Sequence, residues 1–421
     1  MVNLSTKDNF FVYHVVQPYF FAHHHFHIRK IEVLRKSGVC AKILSLVPRD
    51  LYEKYHEHYD KLVRDGNLEL LIVPDNNFHT LYLLRFLVFK IVKKQKVLIH
   101  VLRSSPWAII LLKFFPFFKS HLFYVQEFEG DTCSEYIYAK EYKESPRPPE
   151  QALSIINKIK SNILLGLEKI QVFKADGLVL MSQEHASLWQ SRLKKSLHIS
   201  ILPTVADSTT VWFDANSRNK IRNALKIDDF LVLTYTGNVI CYWQRREAMC
   251  HFVAKLYQKE PKIHFLAIVR KDDTLLMTES LKKYGIEQIT TLISVDHSEI
   301  YKYLSAADLG LFLRHNHTMN KVVTSGKLGE YLSAGLPVLT TGNNADVLNQ
   351  FIHNQKAGYF IDDSLHITEE LVTYIKRLIS EKDNNEIREK ICLEAKNVFD
   401  GEATLFSEYA KFIKSLIGGK S

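Results

Sequence analysis

The sequence lacks the features of a secreted, disulfide-bonded or membrane-spanning protein. Its five cysteines, scattered among 421 residues, show neither metal-site spacing nor a pairing pattern, which is typical of a reducing compartment. Residues 1–10 are polar and do not show the basic, apolar and small-residue regions of a signal peptide. Lys or Arg interrupts every apolar run before bilayer length, so no spanning helix is expected. We therefore expect a cytoplasmic protein.

Internal repeats and low-complexity segments are also absent, which argues against a solenoid or a disordered chain. Hydrophobic residues make up 46% and charged residues 24% of the sequence, as in ordinary soluble globular proteins. A chain of 421 residues exceeds one compact core and fits two domains.

Basic residues are in excess, giving a formal charge of +9, and anionic partners of three kinds could explain it. No basic stripe interleaved with aromatic residues is present, so we expect no nucleic-acid partner. Two basic and apolar stretches, residues 83–94 and 107–119, lie in the first half. Each is either a helix lying on an anionic membrane surface or a core helix with a solvated lysine edge.

Strand-like and helix-like segments alternate along both halves, which predicts parallel sheets covered by helices. Strands are predicted at residues 11–17, 41–47, 68–74, 97–102, 121–126, 177–181, 199–202, 231–236, 264–269, 290–293, 309–313, 337–340 and 358–361. A polar, irregular stretch at residues 203–219 marks the boundary. We therefore predict an N-terminal domain at 1–205, a linker at 206–225, a C-terminal domain at 226–385 and a helical tail at 386–421. Ligands of such sheets bind at the carboxyl ends of the strands.

The segment 324–339 carries the most chemical information. It predicts a short helix that Thr324 or Ser325 caps and that ends at Gly335 in a left-handed conformation. Lys327 falls in the first turn, where a cation is unfavourable unless an anion such as a diphosphate binds there. Glu330 shares its face one turn later and suits a vicinal diol. The alternative is a Lys–Glu pair on the surface.

These residues belong to a longer pattern that resembles glycosyltransferase family 4, which has the GT-B fold. The resemblance spans roughly residues 97–362 and is carried by residues 182–185, 203–206, 235–238, 305–313 and 327–338. It implies two Rossmann-like doubly wound α/β domains facing a cleft, with the tail crossing back to the first. It also implies retaining transfer from a nucleoside diphosphate sugar to a hydroxyl acceptor, without a bound metal or other cofactor.

By this resemblance, Glu330 takes the position of the ribose-binding glutamate and Gly237 lies against the donor diphosphate. The first glutamate of the family's pair falls at Val322, which has no carboxylate. We infer that basic residues after two strands share the phosphate role with Lys327. The predicted donor site comprises Gly237, Asn238, Arg270, Arg314, Thr324, Ser325, Gly326, Lys327 and Glu330. Lys327, Glu330 and Arg270 are its candidate catalytic members.

The acceptor side is predicted from an acidic segment after the strand at residues 121–126. Glu127, Glu129 and Asp131 could hold acceptor hydroxyls, and the last two could transfer protons. The alternative is a solvated acidic turn. Arg103 ends the preceding strand.

A histidine run at residues 23–27 follows the first strand. It suggests either a metal site or, as we favour, a metal-free polar loop through which His24 and His25 face the acceptor.

Three functions remain open at this stage. The favoured one is a hexosyltransferase using a UDP- or GDP-sugar to build a glycan or lipid-linked glycan for surface polysaccharide, at the inner face of the cytoplasmic membrane. The second is a nucleotide-sugar epimerase or hydrolase on the same fold. The third is a non-catalytic paralogue that binds nucleotide within a glycan-synthesis complex.

Overall fold

The computed structural model describes residues 10–18, 24–74, 79–93, 95–102, 106–143, 154–194, 196–203, 211–382, 384–399 and 405–418. Within these residues, no helix is both long and apolar enough to cross a membrane.

A seven-stranded parallel sheet forms the first half, in the order β3-β2-β1-β4-β5-β6-β7. Its strands are β1 (Phe10–Val16), β2 (Cys40–Pro48), β3 (Leu68–Val73), β4 (Lys96–Leu102), β5 (Leu122–Phe128), β6 (Gly177–Leu180) and β7 (Ile199–Ile201). Its helices are α1 (His24–Lys36), α2 (Arg49–Arg64), α3 (His79–Val92), α4 (Trp107–Leu112), α5 (Pro116–Lys119), α6 (Thr132–Lys143), α7 (Ile155–Lys174) and α8 (Gln183–Leu193). The strand order reverses between β1 and β4, as in doubly wound folds.

A six-stranded parallel sheet forms the second half, in the order β10-β9-β8-β11-β12-β13. Helix α9 (Ala215–Leu225) precedes its strands, which are β8 (Leu231–Thr236), β9 (Ile263–Ile268), β10 (Thr290–Ile293), β11 (Leu309–Phe312), β12 (Val338–Thr340) and β13 (Gly358–Phe360). The helices among and after them are α10 (Arg246–Lys259), α11 (Thr274–Tyr284), α12 (Ile300–Ala306), α13 (Thr318–Lys321), α14 (Gly326–Ser333), α15 (Asp346–Asn354) and α16 (Glu369–Glu381). The order reverses between β8 and β11.

Two further helices contact different sheets. Helix α17 (Glu386–Phe399) packs on the second half, where Ile391 shares a buried cluster with Leu328 of α14. Helix α18 (Leu405–Gly418) packs on the first half, where Phe406 shares a buried cluster with Val12 of β1. The pair of Asp400 and Gly401, at which the sequence favours a break in the helical tail, lies outside the described residues.

Helix α9 corrects the expectation of an irregular stretch up to residue 219. Asp214 caps this helix by accepting a hydrogen bond from the backbone N–H of Asn216. Arg218 and Arg222, which resemble solvated residues in the sequence, are buried and form ion pairs with Asp308 before β11. Because these pairs join residues about ninety positions apart, local pattern could not reveal them.

The basic and apolar stretches are partly core and partly surface. In α3, Leu83, Leu87 and Ile91 are buried, whereas Phe89 and Val92 are exposed. The stretch at residues 107–119, expected to be one helix, contains two helices, α4 and α5, and Pro116 starts the second one.

Candidate active site

The candidate donor site lies where the strand order of the second sheet reverses. Strands β8 and β11 are parallel neighbours there, with Leu233 beside Leu309. Gly237 follows β8, and Arg314 comes two residues after β11. Helix α14 begins farther along the same connection, at Gly326. A reversal of this kind opens a crevice beyond the carboxyl ends of the two strands.

Helix α14 begins at an N-cap residue that does not cap it through its side chain. Ser325 occupies the N-cap position, but its hydroxyl makes no capping hydrogen bond. The capping role predicted for Ser325 is therefore wrong. Gly335 has the predicted left-handed conformation, with φ of +64°, and Leu336 donates its backbone N–H to the carbonyl of Tyr331 at 2.8 Å. Because the Ser325 hydroxyl makes no capping hydrogen bond, it does not compete with an anion for the first-turn amides.

Lys327 extends from the first turn of α14 toward β8. Its Nζ donates hydrogen bonds to Oη of Tyr235 at 2.8 Å and to Oε1 of Gln244 at 2.9 Å. It also lies 4.0 Å from the centre of the Tyr235 ring. Gly237 has φ of +103°, and a Cβ at this position would lie 3.2 Å from Cε of Lys327. A glycine at this position therefore gives the lysine room to pass.

Arg314, which follows the neighbouring strand β11, also contacts Oε1 of Gln244. Its Nη1 donates hydrogen bonds to Oε1 of Gln244 at 3.0 Å and to the carbonyl of Trp243 at 2.6 Å. The side chain of Arg314 is buried. Among the residues that the structure describes, neither Arg314 nor Lys327 forms an ion pair with a carboxylate. The site therefore encloses two cationic groups whose hydrogen-bond partners are neutral.

Burial disfavours both positive charges, and the charge of Arg314 further disfavours that of Lys327. The pKa of Lys327 lies well below the ordinary value for lysine, first because burial disfavours its charged form and next because Arg314 is close. Burial likewise lowers the pKa of Arg314. A bound anion would reverse both effects, since an opposite charge favours the charged form. The electrostatics therefore match a phosphate or diphosphate ligand.

Glu330 lies one turn after Lys327 and is partly exposed. Its Oε1 is 3.1 Å from Nε2 of the exposed His297. The carboxylate thus retains capacity to accept hydrogen bonds from a diol.

The remaining predicted donor residues surround these groups in different ways. Arg270 is exposed, and its charge lies near enough to lower the pKa of Lys327. The backbone carbonyl of Asn238 accepts a hydrogen bond from Tyr235, and the Oδ1 atom of Asn238 is buried without a hydrogen-bond partner among the described residues. Thr324 is buried just before α14.

On the acceptor side, the structure corrects the role predicted for Asp131. This residue is buried, and its carboxylate forms an ion pair with Arg192 and accepts hydrogen bonds from Ser134. The backbone N–H of Ser134 is one of these donors, at 3.0 Å, so Asp131 caps α6. Hydrogen bonds and charge from Arg192 lower the pKa of Asp131 despite burial. Asp131 therefore stabilises the fold instead of facing an acceptor.

Glu127 is likewise directed into the core, contrary to the prediction. Its two carboxylate oxygens lie 2.7 Å from Nζ of the fully buried Lys30, and one lies 2.9 Å from Nε2 of His100. Although burial opposes ionisation, the Lys30 charge and the His100 hydrogen bond lower the pKa of Glu127 to about 2. This carboxylate is a structural anion beneath the cleft.

Buried imidazoles complete this network. His14 Nε2 lies 2.9 Å from Nδ1 of His27, and His100 Nδ1 lies 2.7 Å from the hydroxyl of Tyr409 on α18. Within the described part of the chain, His14, His100 and Glu127 form one group whose ligand atoms lie within 4.8 Å of one another, as a metal ion would require. The ammonium group of Lys30 already neutralises the Glu127 carboxylate of this group.

The histidine run begins a helix, which corrects the expected loop. His24 and His25 open α1, and their side chains lie outside the described part of the structure, as do His23 and Arg103. His27 is buried in the network with His14. Glu129 is partly exposed directly after β5.

Sequence reasoning missed the residues that connect the two halves at this site. Tyr138 of α6 is fully buried, and its ring centre lies 5.1 Å from that of His317 and 6.0 Å from that of His315. Its hydroxyl has no hydrogen-bond partner among the described residues. Burial raises the pKa of Tyr138, while the nearby charge of Arg314 lowers it in part. Helix α6 thus brings a buried hydroxyl from the first half toward the donor-side cations.

Direct hydrogen bonds also cross the cleft. Ser182 Oγ donates to the carbonyl of Val322 at 2.8 Å, and Asp346 donates its backbone N–H to Glu184 at 3.0 Å. Val322, at the position that corresponds to the first glutamate of the family this sequence resembles, is buried, and its carbonyl accepts the hydrogen bond from Ser182. No motif in the sequence identifies Gln244 or Tyr138, because distant segments bring them together.

Comparison with known proteins identifies the fold. No family model matches the sequence, and neither does any curated protein. Among solved structures, HepE of Anabaena in complex with UDP aligns over 96% of this chain and 99% of its own, with a TM-score of 0.64 and 12% identity. Sucrose-phosphate synthase of Thermosynechococcus elongatus aligns over 97% and 99%, with a TM-score of 0.66 and 13% identity. WaaG, a glycosyltransferase involved in lipopolysaccharide biosynthesis, aligns over 96% and 99%, with a TM-score of 0.57 and 15% identity. The chain therefore has the GT-B fold.

Proposed function

We propose that this protein is a retaining glycosyltransferase of family 4. It transfers a sugar, a hexose in our proposal, from a UDP- or GDP-sugar to a hydroxyl of a glycan or lipid-linked glycan. The observation that carries this proposal is the pair of enclosed cations, Lys327 and Arg314, which share Gln244 and form no carboxylate ion pair among the described residues. They lie at the amino end of α14, where a diphosphate is favoured. The complexes of HepE with UDP and UDP-glucose support the same ligand class.

In this proposal the donor lies along α14. The diphosphate is held by Lys327, Arg314 and the first-turn amides, and the ribose hydroxyls donate to the carboxylate of Glu330. Arg270 is exposed at the end of β9 and adds positive charge on the solvent side. Thr324 and Gly326 lie at the start of α14, where we propose that the backbone approaches the diphosphate closely.

Catalysis would depend on stabilising the negative charge that develops as the bond between the sugar and the diphosphate breaks. Negative charge grows on the departing diphosphate, and fixed cations in a water-poor site lower the free energy of that state. We propose that Lys327 and Arg314 perform this role without a bound metal or other cofactor. Contacts across the cleft, such as Ser182 with Val322, exclude water and limit donor hydrolysis.

On the acceptor side, Glu129 is the remaining acidic candidate after Glu127 and Asp131 are assigned to the core. We place the enzyme in surface polysaccharide synthesis, such as capsule or lipopolysaccharide, at the cytoplasmic face of an anionic membrane. A basic chain with a formal charge of +9 suits this location.

A non-catalytic nucleotide-binding protein is the second candidate, and the buried Val322 favours it.

A product assay separates the possibilities. The purified protein is incubated with UDP- or GDP-sugars, first alone and then with short glycan or lipid-linked acceptors. Acceptor-dependent product of retained anomeric configuration supports the proposal. Free or epimerised nucleotide sugar without acceptor supports a hydrolase or epimerase, and tight nucleotide binding with no turnover supports the non-catalytic protein.

A further inference from the structure

Helix α7 carries a continuous apolar face that points to solvent. Its exposed apolar residues recur at helical spacing and fall on one side of the helix. Ile155 is 76% exposed and Ile163 is 57% exposed. The set comprises Ile155, Ile156, Ile159, Ile163, Leu167, Ile170 and Phe173. We call this set the α7 face. It extends over 19 residues, from Ile155 to Phe173, or about 27 Å at the rise of an α-helix.

The opposite side of α7 already holds the helix in the domain. Val172 is buried in a cluster with Trp189 of α8. Asn157 accepts a hydrogen bond from the hydroxyl of Tyr136 at 3.0 Å, and the carbonyl of Ser161 accepts one from Cys133, both donors being on α6. These contacts fix the helix in place, so the α7 face is not needed to hold it there.

Exposed aromatic residues extend the surface beyond the carboxyl end of α7. Phe114, Phe115 and Phe117 are each more than half exposed. Nζ of Lys174, the last residue of α7, lies 3.7 Å from the centre of the Phe114 ring. The segment between α4 and α5 therefore adjoins the α7 face. Together these residues form one contiguous exposed apolar surface, whereas exposed apolar residues on an ordinary protein surface are scattered singly.

Lysines border this surface, and no exposed carboxylate on α7 opposes them. Lys158 and Lys160 are exposed, and Lys169 and Lys174 are partly exposed. The one acidic residue of α7, Glu168, is buried. An apolar face edged by lysines matches the interface of an anionic bilayer, where apolar groups enter the acyl boundary and cations remain among the headgroups. A second copy of the chain would instead place like charges against each other.

We propose that the α7 face, with the adjoining phenylalanines, docks the protein on an anionic lipid surface. The sequence suggested residues 83–94 and 107–119 as membrane contacts. The proposed docking surface includes residues of the second stretch but not of the first, and its centre is α7, which the sequence analysis did not suggest as a membrane contact. This proposal rests on the proposed function in one respect: a lipid-linked acceptor would explain why the protein docks on lipid. Binding of the protein to the lipid surface does not itself require the nucleotide-sugar donor.

The position of α7 relates the docking surface to the cleft. Helix α6 packs against α7 on one side, through Tyr136 and Cys133. On its other side, Tyr138 and Tyr142 contact the His315 ring of the second half, with centres 6.0 and 4.2 Å apart. Two helices, α7 and α6, each about 10 Å across, therefore separate the lipid surface from the cleft. A lipid-linked acceptor could span this distance while its lipid stays in the membrane.

Vesicle flotation with the full chain tests the proposal. The vesicles contain phosphatidylcholine alone or with 30% phosphatidylglycerol, roughly the charge of an anionic leaflet. The variants are Ile159→Ser with Ile163→Ser and, as a matched control, Leu275→Ser, which alters a residue of the second half that is 73% exposed. Circular dichroism melts and UDP calorimetry accompany each variant, so that loss of folding or of donor binding is seen separately.

We expect the wild type to bind the anionic vesicles and to release them as salt rises. The α7 variant should bind about tenfold or more weakly, because two apolar side chains no longer enter the lipid. Its fold and donor affinity should be unchanged, and Leu275→Ser should bind like the wild type. Equal vesicle binding by the α7 variant, or no wild-type binding at low salt, overturns the proposal. So does a dimer in sedimentation experiments that Ile159→Ser with Ile163→Ser abolishes, because the face would then bind a second copy.

Discussion

Lys327 and Arg314 donate hydrogen bonds to the same atom, Oε1 of Gln244, at 2.9 and 3.0 Å. Two cationic side chains from different elements thus converge on one neutral carbonyl oxygen. Two positive charges this close to one oxygen repel each other. The amide of Gln244 is neutral, so it does not compensate their charge. The proposed donor diphosphate supplies the compensating negative charge.

The carboxylate of Glu330 is predicted to bind the donor ribose. Glu330→Ala should raise the Kd for the nucleotide diphosphate by roughly thirtyfold, about 2 kcal/mol, because hydrogen bonds to a charged acceptor are lost. Thermal stability should change little, since Glu330 is partly exposed and its hydrogen-bonded partner in the described part of the chain is the exposed His297. Calorimetric titration measures the affinity. Glu299→Ala, which removes an exposed carboxylate nearby, should bind like the wild type, and an unchanged Kd for Glu330→Ala would remove Glu330 from the pocket.

Donor binding should take up a proton at Lys327. Burial and Arg314 hold the pKa of this lysine well below its ordinary value in the free protein, and a bound diphosphate raises the pKa again. Affinity should therefore fall as pH rises through the free-state pKa. Calorimetry at several pH values between about 7 and 10, all above the last phosphate pKa of about 6, in two buffers of different ionisation enthalpy reports the uptake. Lys327→Met should abolish it, and identical wild-type heats in the two buffers at every pH would contradict the assignment.

Lys30 is predicted to stabilise the first half by neutralising Glu127. Lys30→Met should lower the free energy of unfolding by about 3–5 kcal/mol, because a buried carboxylate loses its partner. Replacing both partners, in Lys30→Met with Glu127→Leu, should cost less than the single change. Urea unfolding followed by circular dichroism provides the measurement. Lys61→Met on the exposed face of α2 is the control; a cost for Lys30→Met no larger than that of the control would show that the ion pair is not structural.

Much of the fold follows from local pattern, and the helix α14 shows why. The short helix that the sequence predicts before Gly335 spans Gly326–Ser333, because Gly335 and Pro337 end it by local geometry. The predicted strand at 231–236 matches β8, which is buried along its length, as expected of a central parallel strand. The predicted strand at 290–293 matches β10, a partly buried strand at the edge of the sheet.

The features that sequence reasoning missed depend on contacts between distant residues. Helix α6 lacks a simple apolar stripe, because one side packs on α7 and the other contacts His315 of the second half. Glu127 and Asp131 resemble a solvated acidic segment until Lys30 and Arg192 are placed beside them. Gln244 belongs to no motif, and only the approach of β8 and β11 gives it a role. Local sequence therefore located α14 and its basic residue, but not the partners around it.

The most direct test of the enclosed cations is the substitution Gln244→Glu. The change is nearly isosteric and places a carboxylate between Lys327 and Arg314. Gln288→Glu, at an exposed position, is the control of equal charge.

The measurement is calorimetric affinity for whichever of UDP, GDP, ADP and CMP shifts the wild-type melting temperature most. We predict that Gln244→Glu melts at a higher temperature than the wild type and binds the nucleotide about tenfold or more weakly, while Gln288→Glu binds normally. Unchanged or tighter nucleotide binding by Gln244→Glu would contradict the account.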